Sequence, residues 1–209
     1  MNKKKKIVII DYGCGNILSI KKAVENFKKN ILVTNKYEEI MNSSHIILPG
    51  VGAFNIAMKN LKKLKIIKII QYCAKKNKPI LGICLGMQLL LTKSEENKKT
   101  NGLNLIEGSV EKIKRNKKIK IPHVGWNKII LTNKNNFLKK ITQNSSMYFV
   151  HSYYAKMKNK NDILSLCQYG KSKIPAIIGN NNIYGTQFHP EKSGKNGLKI
   201  IHNFLSLKQ

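Results

Sequence analysis

Arginine is nearly absent from this 209-residue sequence: Arg115 stands alone among 39 basic residues. Base and phosphate recognition favours the bidentate guanidinium fork, so its scarcity argues against a nucleic-acid partner despite a formal net charge of +29. The lysines spread along the whole chain among many asparagines and form no single stripe. We read the charge as a compositional bias, which bears on solubility and association but not on fold. No apolar run approaches 18 residues, which argues against a membrane-spanning helix. The basic opening Met1–Lys6 is followed by Ile7–Ile10, but Asp11 ends that stretch too early for the core of an export signal. Cytoplasmic residence is the expectation. Cys14, Cys73, Cys84 and Cys167 form no C-x-x-C pair and have no histidine ladder beside them, so reduced thiols are expected and no metal or other cofactor. No repeat, proline-rich linker or low-complexity tail divides the chain, and residues 1–209 read as one domain large enough for its own core.

The first half alternates short β-branched runs with helical patterns. Lys6–Ile10, Ile31–Thr34, His45–Leu48 and Pro79–Ile83 read as strands. Asn16–Lys28, Ala53–Lys76 and Leu85–Thr92 carry apolar residues at helical spacing. That alternation predicts an α/β fold with a central, mostly parallel sheet covered by helices. The second half is strand-rich over Ser109–Ile113, Trp126–Leu131, Met147–Tyr154, Ile163–Gln168, Ala176–Gly179 and Ile183–Phe188. An additional, smaller antiparallel or mixed sheet is expected there. Gly197–Leu207 closes the chain as an amphipathic helix. In open α/β sheets ligands bind beyond the carboxyl ends of the strands, which directs attention to the loops after Ile10, Leu48 and Ile83.

Gly82-Ile83-Cys84-Leu85-Gly86 follows a buried strand and opens a helix, the pattern of a nucleophile elbow. The turn lifts the central side chain above the sheet edge, and the helix N-terminus favours a thiolate there. The bland alternative is a structural cysteine in a glycine-rich turn. A catalytic cysteine needs a base, and the chain offers His45, His123, His151, His189 and His202. In Phe188-His189-Pro190-Glu191 the proline pushes His189 toward extended geometry, so residues 189 and 191 point to one side and Glu191 orients the imidazole. Taken alone, that segment reads equally as a solvated polar strand end. Leu48-Pro49-Gly50-Val51-Gly52 is a further strand-to-helix loop at the same edge, with amides to aim at a developing oxyanion. Read by itself it is an ordinary glycine turn.

Taken together, Pro49–Gly52, Gly82–Gln88 and Gln187–Ser193 resemble the class I, triad-type glutamine amidotransferases over nearly the whole chain. Ile10–Asn16, Pro122–Asn127 and Tyr148–Tyr153 narrow the resemblance to the glutaminase subunits of imidazole glycerol phosphate synthase. The resemblance implies a Cys84–His189–Glu191 triad and an oxyanion hole from Val51, Gly52 and Leu85. It also implies a glutamine pocket lined by Gly50, Gly52, Gln88, His151, Ser152 and Tyr153. The partner it implies is a (β/α)8 barrel cyclase in a heterodimer, fed with ammonia for histidine biosynthesis. Pro122, Trp126, Asn127 and Lys192 are the candidate contacts. Trp126 reads equally as core, and Lys192 as a solvated charge. The competing readings are a paralogous glutaminase serving amination of a surface sugar, the glutaminase of pyridoxal phosphate synthase, against which Pro122–Asn127 argue, and a catalytically silent scaffold or nucleic-acid-binding module.

Overall fold

A computed structural model describes residues 6–28, 30–115 and 119–208. The basic opening at Met1–Lys5 lies outside these residues. The first half contains β1 (Ile7–Ile10), α1 (Ile17–Glu25), β2 (Ile31–Thr34), α2 (Tyr37–Met41), β3 (His45–Leu48), α3 (Phe54–Lys63), α4 (Ile67–Lys75), β4 (Ile80–Ile83) and α5 (Leu85–Leu89). The middle contributes β5 (Lys93–Ser94), β6 (Thr100–Asn101), β7 (Gly108–Lys112), β8 (His123–Leu131), β9 (Ser146–His151) and β10 (Tyr153–Met157). β11 (Ile163–Tyr169), β12 (Ser172–Asn180), β13 (Ile183–Thr186) and α6 (Gly194–Leu205) complete the chain.

Nine strands form the main sheet in the order β2-β1-β3-β4-β13-β12-β11-β8-β9, and β10-β7-β5-β6 form a smaller one. Pairing is parallel from β2 through β13 and antiparallel from β13 to β9. The parallel half is covered on both faces, which is why its strands are continuous apolar runs with no polar alternation. Along β1, Val8 and Ile10 enter one core cluster with Phe54, Leu61 and Ile70, whereas Ile7 and Ile9 enter the other with Ile200 and Phe204. Those two clusters are the two faces of the sheet. α6 closes the second by burying Ile200, Ile201, Phe204 and Leu205, each worth about 1.5–3 kcal/mol against exposure.

Two segments depart from the sequence reading. Ala53–Lys76 has one continuous helical pattern, yet the chain makes two helices. Lys65 takes φ +57°, with its N–H on Lys62 and the next N–H, from Ile66, on Leu61. This is a Schellman closure in which lysine occupies the place glycine favours, and contact between buried Leu61 and Ile66 accompanies it. Met147–Tyr154 reads as one strand but is two. β9 belongs to the large sheet and β10 to the small one, and the chain changes sheets at Ser152. Side-chain alternation carries no signal for such a change, because both strands continue the same apolar pattern.

Candidate active site

β4 ends in a turn whose backbone leaves little choice of residue. Cys84 itself sits at φ +54°, ψ −109°, a conformation that costs a non-glycine residue about 1–3 kcal/mol. Its N–H is tied to the Thr186 carbonyl at 2.7 Å, continuing the parallel pairing of β4 with β13. A Cβ on Gly86 would stand 1.9 Å from the Leu48 carbonyl oxygen, and one on Gly50 2.5 Å from the Gly86 nitrogen. The elbow and the Pro49–Gly52 loop therefore approach at backbone distance. The Tyr12 hydroxyl, buried above the first strand, donates to the Pro49 carbonyl and anchors that loop.

The last strand of the parallel half delivers the second component. His189 Nδ1 lies 2.8 Å from Glu191 Oε1, and the two side chains are 4% and 1% exposed. Its backbone is held on both sides: His189 N–H donates to the Tyr148 carbonyl at 3.0 Å, and Ser193 Oγ donates to the His189 carbonyl at 2.6 Å. Burial is the largest single influence on the imidazole and would lower its pKa. Hydrogen bonding and charge from Cys84 and Glu191 outweigh it and raise the value to about 10. The remaining ring nitrogen, Nε2, is buried without a regular hydrogen bond, yet near enough to Cys84 for that coupling. Loose geometry of this kind is usual before substrate tightens a site.

A cavity of about 260 Å³ opens over the sulfur. Its walls bring together Cys84, Leu85, Gln88 and His189 with Val51 and Gly52 on one side and His151, Ser152 and Tyr153 on the other. Among the described residues no group of three His, Cys, Asp or Glu side chains is disposed to hold a metal, and no helix is long and apolar enough to cross a membrane. The family model for glutamine amidotransferase class I matches residues 8–207 of the sequence. The chain belongs to the class I glutamine amidotransferases.

Within that family it is similar to the imidazole glycerol phosphate synthase subunit HisH of Bacillus cytotoxicus, with 47% identity covering 95% of this chain and 93% of that one. Subunit HisH 1 of Methanococcus maripaludis is also 47% identical, over 96% and 99% of the two chains. Among solved structures, PurLQS from Thermotoga maritima superposes with a TM-score of 0.72, covering 97% and 98% at 20% identity. At that identity the likeness concerns the fold.

Other amidotransferase positions read from the sequence fall in three places. Gly50 is buried beneath the cavity, packed on Leu85 and Gly86, and contributes close approach. Trp126 is 57% exposed on β8, with its ring 6.0 Å from that of Tyr148, and Lys192 Nζ stands 6.0 Å over the same Tyr148 ring. Pro122 is exposed, whereas Asn127 turns partly inward and bonds His123 Nε2 at 2.8 Å. One wall residue escaped the sequence reading altogether. Glu96, from the β5–β6 turn, enters the cavity and accepts from the Phe54 N–H at 2.9 Å. The signal available was scarcity: the chain has ten acidic residues, and Glu95-Glu96 is one of two adjacent pairs, the other being Glu38-Glu39.

Proposed function

We propose that the chain hydrolyses glutamine to glutamate and ammonia and is the glutaminase subunit of an imidazole glycerol phosphate synthase. The observation that carries this reading is a strained cysteine sharing one small cavity with an imidazole that is hydrogen-bonded to a buried carboxylate. The attacking form is the Cys84 thiolate, its proton taken by His189. It attacks the side-chain carbonyl carbon of glutamine, and the His189 imidazolium gives its proton to the departing nitrogen as ammonia leaves. A thioester remains on Cys84. Neutral His189 then takes a proton from water, the resulting hydroxide adds to the thioester, and glutamate is released as the sulfur regains its electron pair. The N–H of Leu85, at the first helical position and free of an intrahelical partner, and the amides of the Val51-Gly52 turn are the donors for the oxyanion. Glu96 is the wall carboxylate available for the substrate α-ammonium, while Gln88, His151, Ser152 and Tyr153 supply polar walls.

Ammonia is nucleophilic only while unprotonated, so release into water wastes most of it. Similar chains are named as subunits of imidazole glycerol phosphate synthase, and in this reading the acceptor site is supplied by a partner. That partner is a (β/α)8 barrel cyclase of histidine biosynthesis, docked where Trp126, Tyr148 and Lys192 cluster at the sheet edge. The test is glutamate release by the purified chain, alone and mixed with a barrel cyclase and its nucleotide acceptor. A mixture that makes product from ammonium salts but never from glutamine would refute the assignment, as would failure to restore growth without histidine in a strain lacking this subunit.

A further inference from the structure

Gln187 is fully buried two residues before His189, and its carboxamide nitrogen lies 3.8 Å from Cys84 Sγ. Its orientation is dictated by Gln88. The Gln88 Nε2 group donates to the Tyr153 carbonyl at 3.0 Å and to Gln187 Oε1 at 3.2 Å. With Oε1 occupied as an acceptor, the NH2 end of Gln187 must face the sulfur. On its other side Sγ meets the Val150 carbonyl at 3.7 Å, a partner that accepts from a thiol and offers nothing to a thiolate. The sulfur thus sits between one group that holds its proton and one that holds its electron pair.

We propose that Gln187 is a catalytic residue: its side-chain N–H donates to Cys84 Sγ, stabilises the thiolate before attack, and receives it again when the thioester breaks. During deacylation the carbon–sulfur bond cleaves and its electron pair returns to Sγ. The Gln187 amide and the His189 imidazolium are then the two donors aimed at the charge. Gln88 acts through Gln187 as a positioning residue in addition to lining the cavity. The other titratable groups around the sulfur are His151 across the cavity, Glu96 on its wall, Glu191 behind His189, and Tyr12, which burial keeps neutral.

The catalytic consequence rests on the glutaminase reading, but the stabilisation of sulfur does not, and the test separates them. Cys84 alkylation by iodoacetamide, followed by mass spectrometry of its peptide, is measured against pH without glutamine in the wild type, Gln187→Glu and Gln187→Met. The Glu variant keeps the bond from Gln88 but turns an acceptor toward the sulfur. Its alkylation midpoint rises by about one unit or more, a tenfold loss of thiolate at fixed lower pH; the Met variant shifts less in the same direction. Turnover of glutamine falls in kcat with KM little changed. Unmoved midpoints in folded variants overturn the proposal. In the wild-type chain the Gln187 side-chain amide protons shift with the midpoint of Cys84 alkylation, and an amide signal indifferent to that titration overturns it without any substitution. A wild-type chain that titrates as described but never uses glutamine, even mixed with a barrel cyclase and its acceptor, refutes the glutaminase reading instead.

Discussion

His189 and His151 line the same cavity, and burial drives the pKa of each downward. At His189, Cys84 and Glu191 reverse that influence and the value climbs to about 10. At His151 a backbone hydrogen bond from the ring to the Tyr153 carbonyl is too weak to compensate. The charges of His123 and His189 press the same way as burial, and the value falls to about 3. His123, lowered to about 4 by burial, completes the neutral cluster. Its hydrogen bonds admit one consistent proton assignment. Because the Tyr153 carbonyl can only accept, His151 Nδ1 donates to it at 2.9 Å. His151 Nε2 therefore accepts from His123 Nδ1 at 2.9 Å, and His123 Nε2 from the Asn127 amide at 2.8 Å. A charge partner, not depth, decides which histidine carries a proton.

The largest test of that contrast removes the sulfur. Cys84→Ala takes away both the nucleophile and the foremost influence raising the His189 pKa, and glutamine turnover should drop about 10⁴-fold or more. Ammonia-dependent synthesis by an assembled complex should survive, because the alanine chain still folds; glutamate release near the wild-type rate would dismiss Cys84 as nucleophile. Glu191→Gln tests the same contrast from the other side by making His189 resemble His151. The expected loss in kcat/KM is about 10²- to 10⁴-fold. The sign of its pH effect follows from the raised value: the imidazolium persists below about pH 10 and is lost as pH rises through it. In the Gln variant that alkaline limb should move toward neutrality, and a profile superimposable on the wild type would contradict the role given to Glu191.

Two smaller effects compare the outward and inward sides of β8. Trp126 faces out, and Trp126→Ala should weaken binding of the proposed cyclase partner about 10- to 100-fold while glutamine turnover by the isolated chain is unaltered; titration calorimetry with equal affinities would remove Trp126 from the proposed interface. His123 faces in. For His123 and His151 the folded values lie below the ordinary 6.5, so the unfolded chain takes up protons first. Their cost is absent well above pH 6.5 and grows as pH falls toward 4, by up to about 1.4 kcal/mol per pH unit for each histidine. Melting temperatures recorded between pH 7 and 4 should decline more gently in His123→Gln, which retains one donor and one acceptor. Parallel declines would show that the pair titrates elsewhere.

Legibility followed the range of the interactions. The strands Ile31–Thr34 and His45–Leu48 were readable to the residue because each holds three consecutive apolar residues in a short run set off by asparagine, serine or proline. Cys84, His189 and Glu191 could be singled out because each lies in a short segment whose own residues state a geometry: the glycines around Cys84 and the proline between His189 and Glu191. The break at Lys65 was hidden, since a lysine gives no local cue for a left-handed turn. The sheet change at Ser152 was hidden as well, because β9 and β10 differ only in which neighbours pair with them. Gln187 belongs to the Gln187–Ser193 motif, but nothing in its local sequence reveals an amide aimed at sulfur.

By itself, then, the order of residues determined the alternation of strands and helices, the tight turn that carries Cys84, and the short His189–Glu191 unit, all of which depend on neighbours a few positions apart. Tertiary structure alone decided that Glu96 enters the cavity, that Gln88 turns the Gln187 amide, and that one buried histidine is charged while two are neutral. Those outcomes depend on the dielectric and the partners created when segments a hundred residues apart meet, and no local pattern contains them.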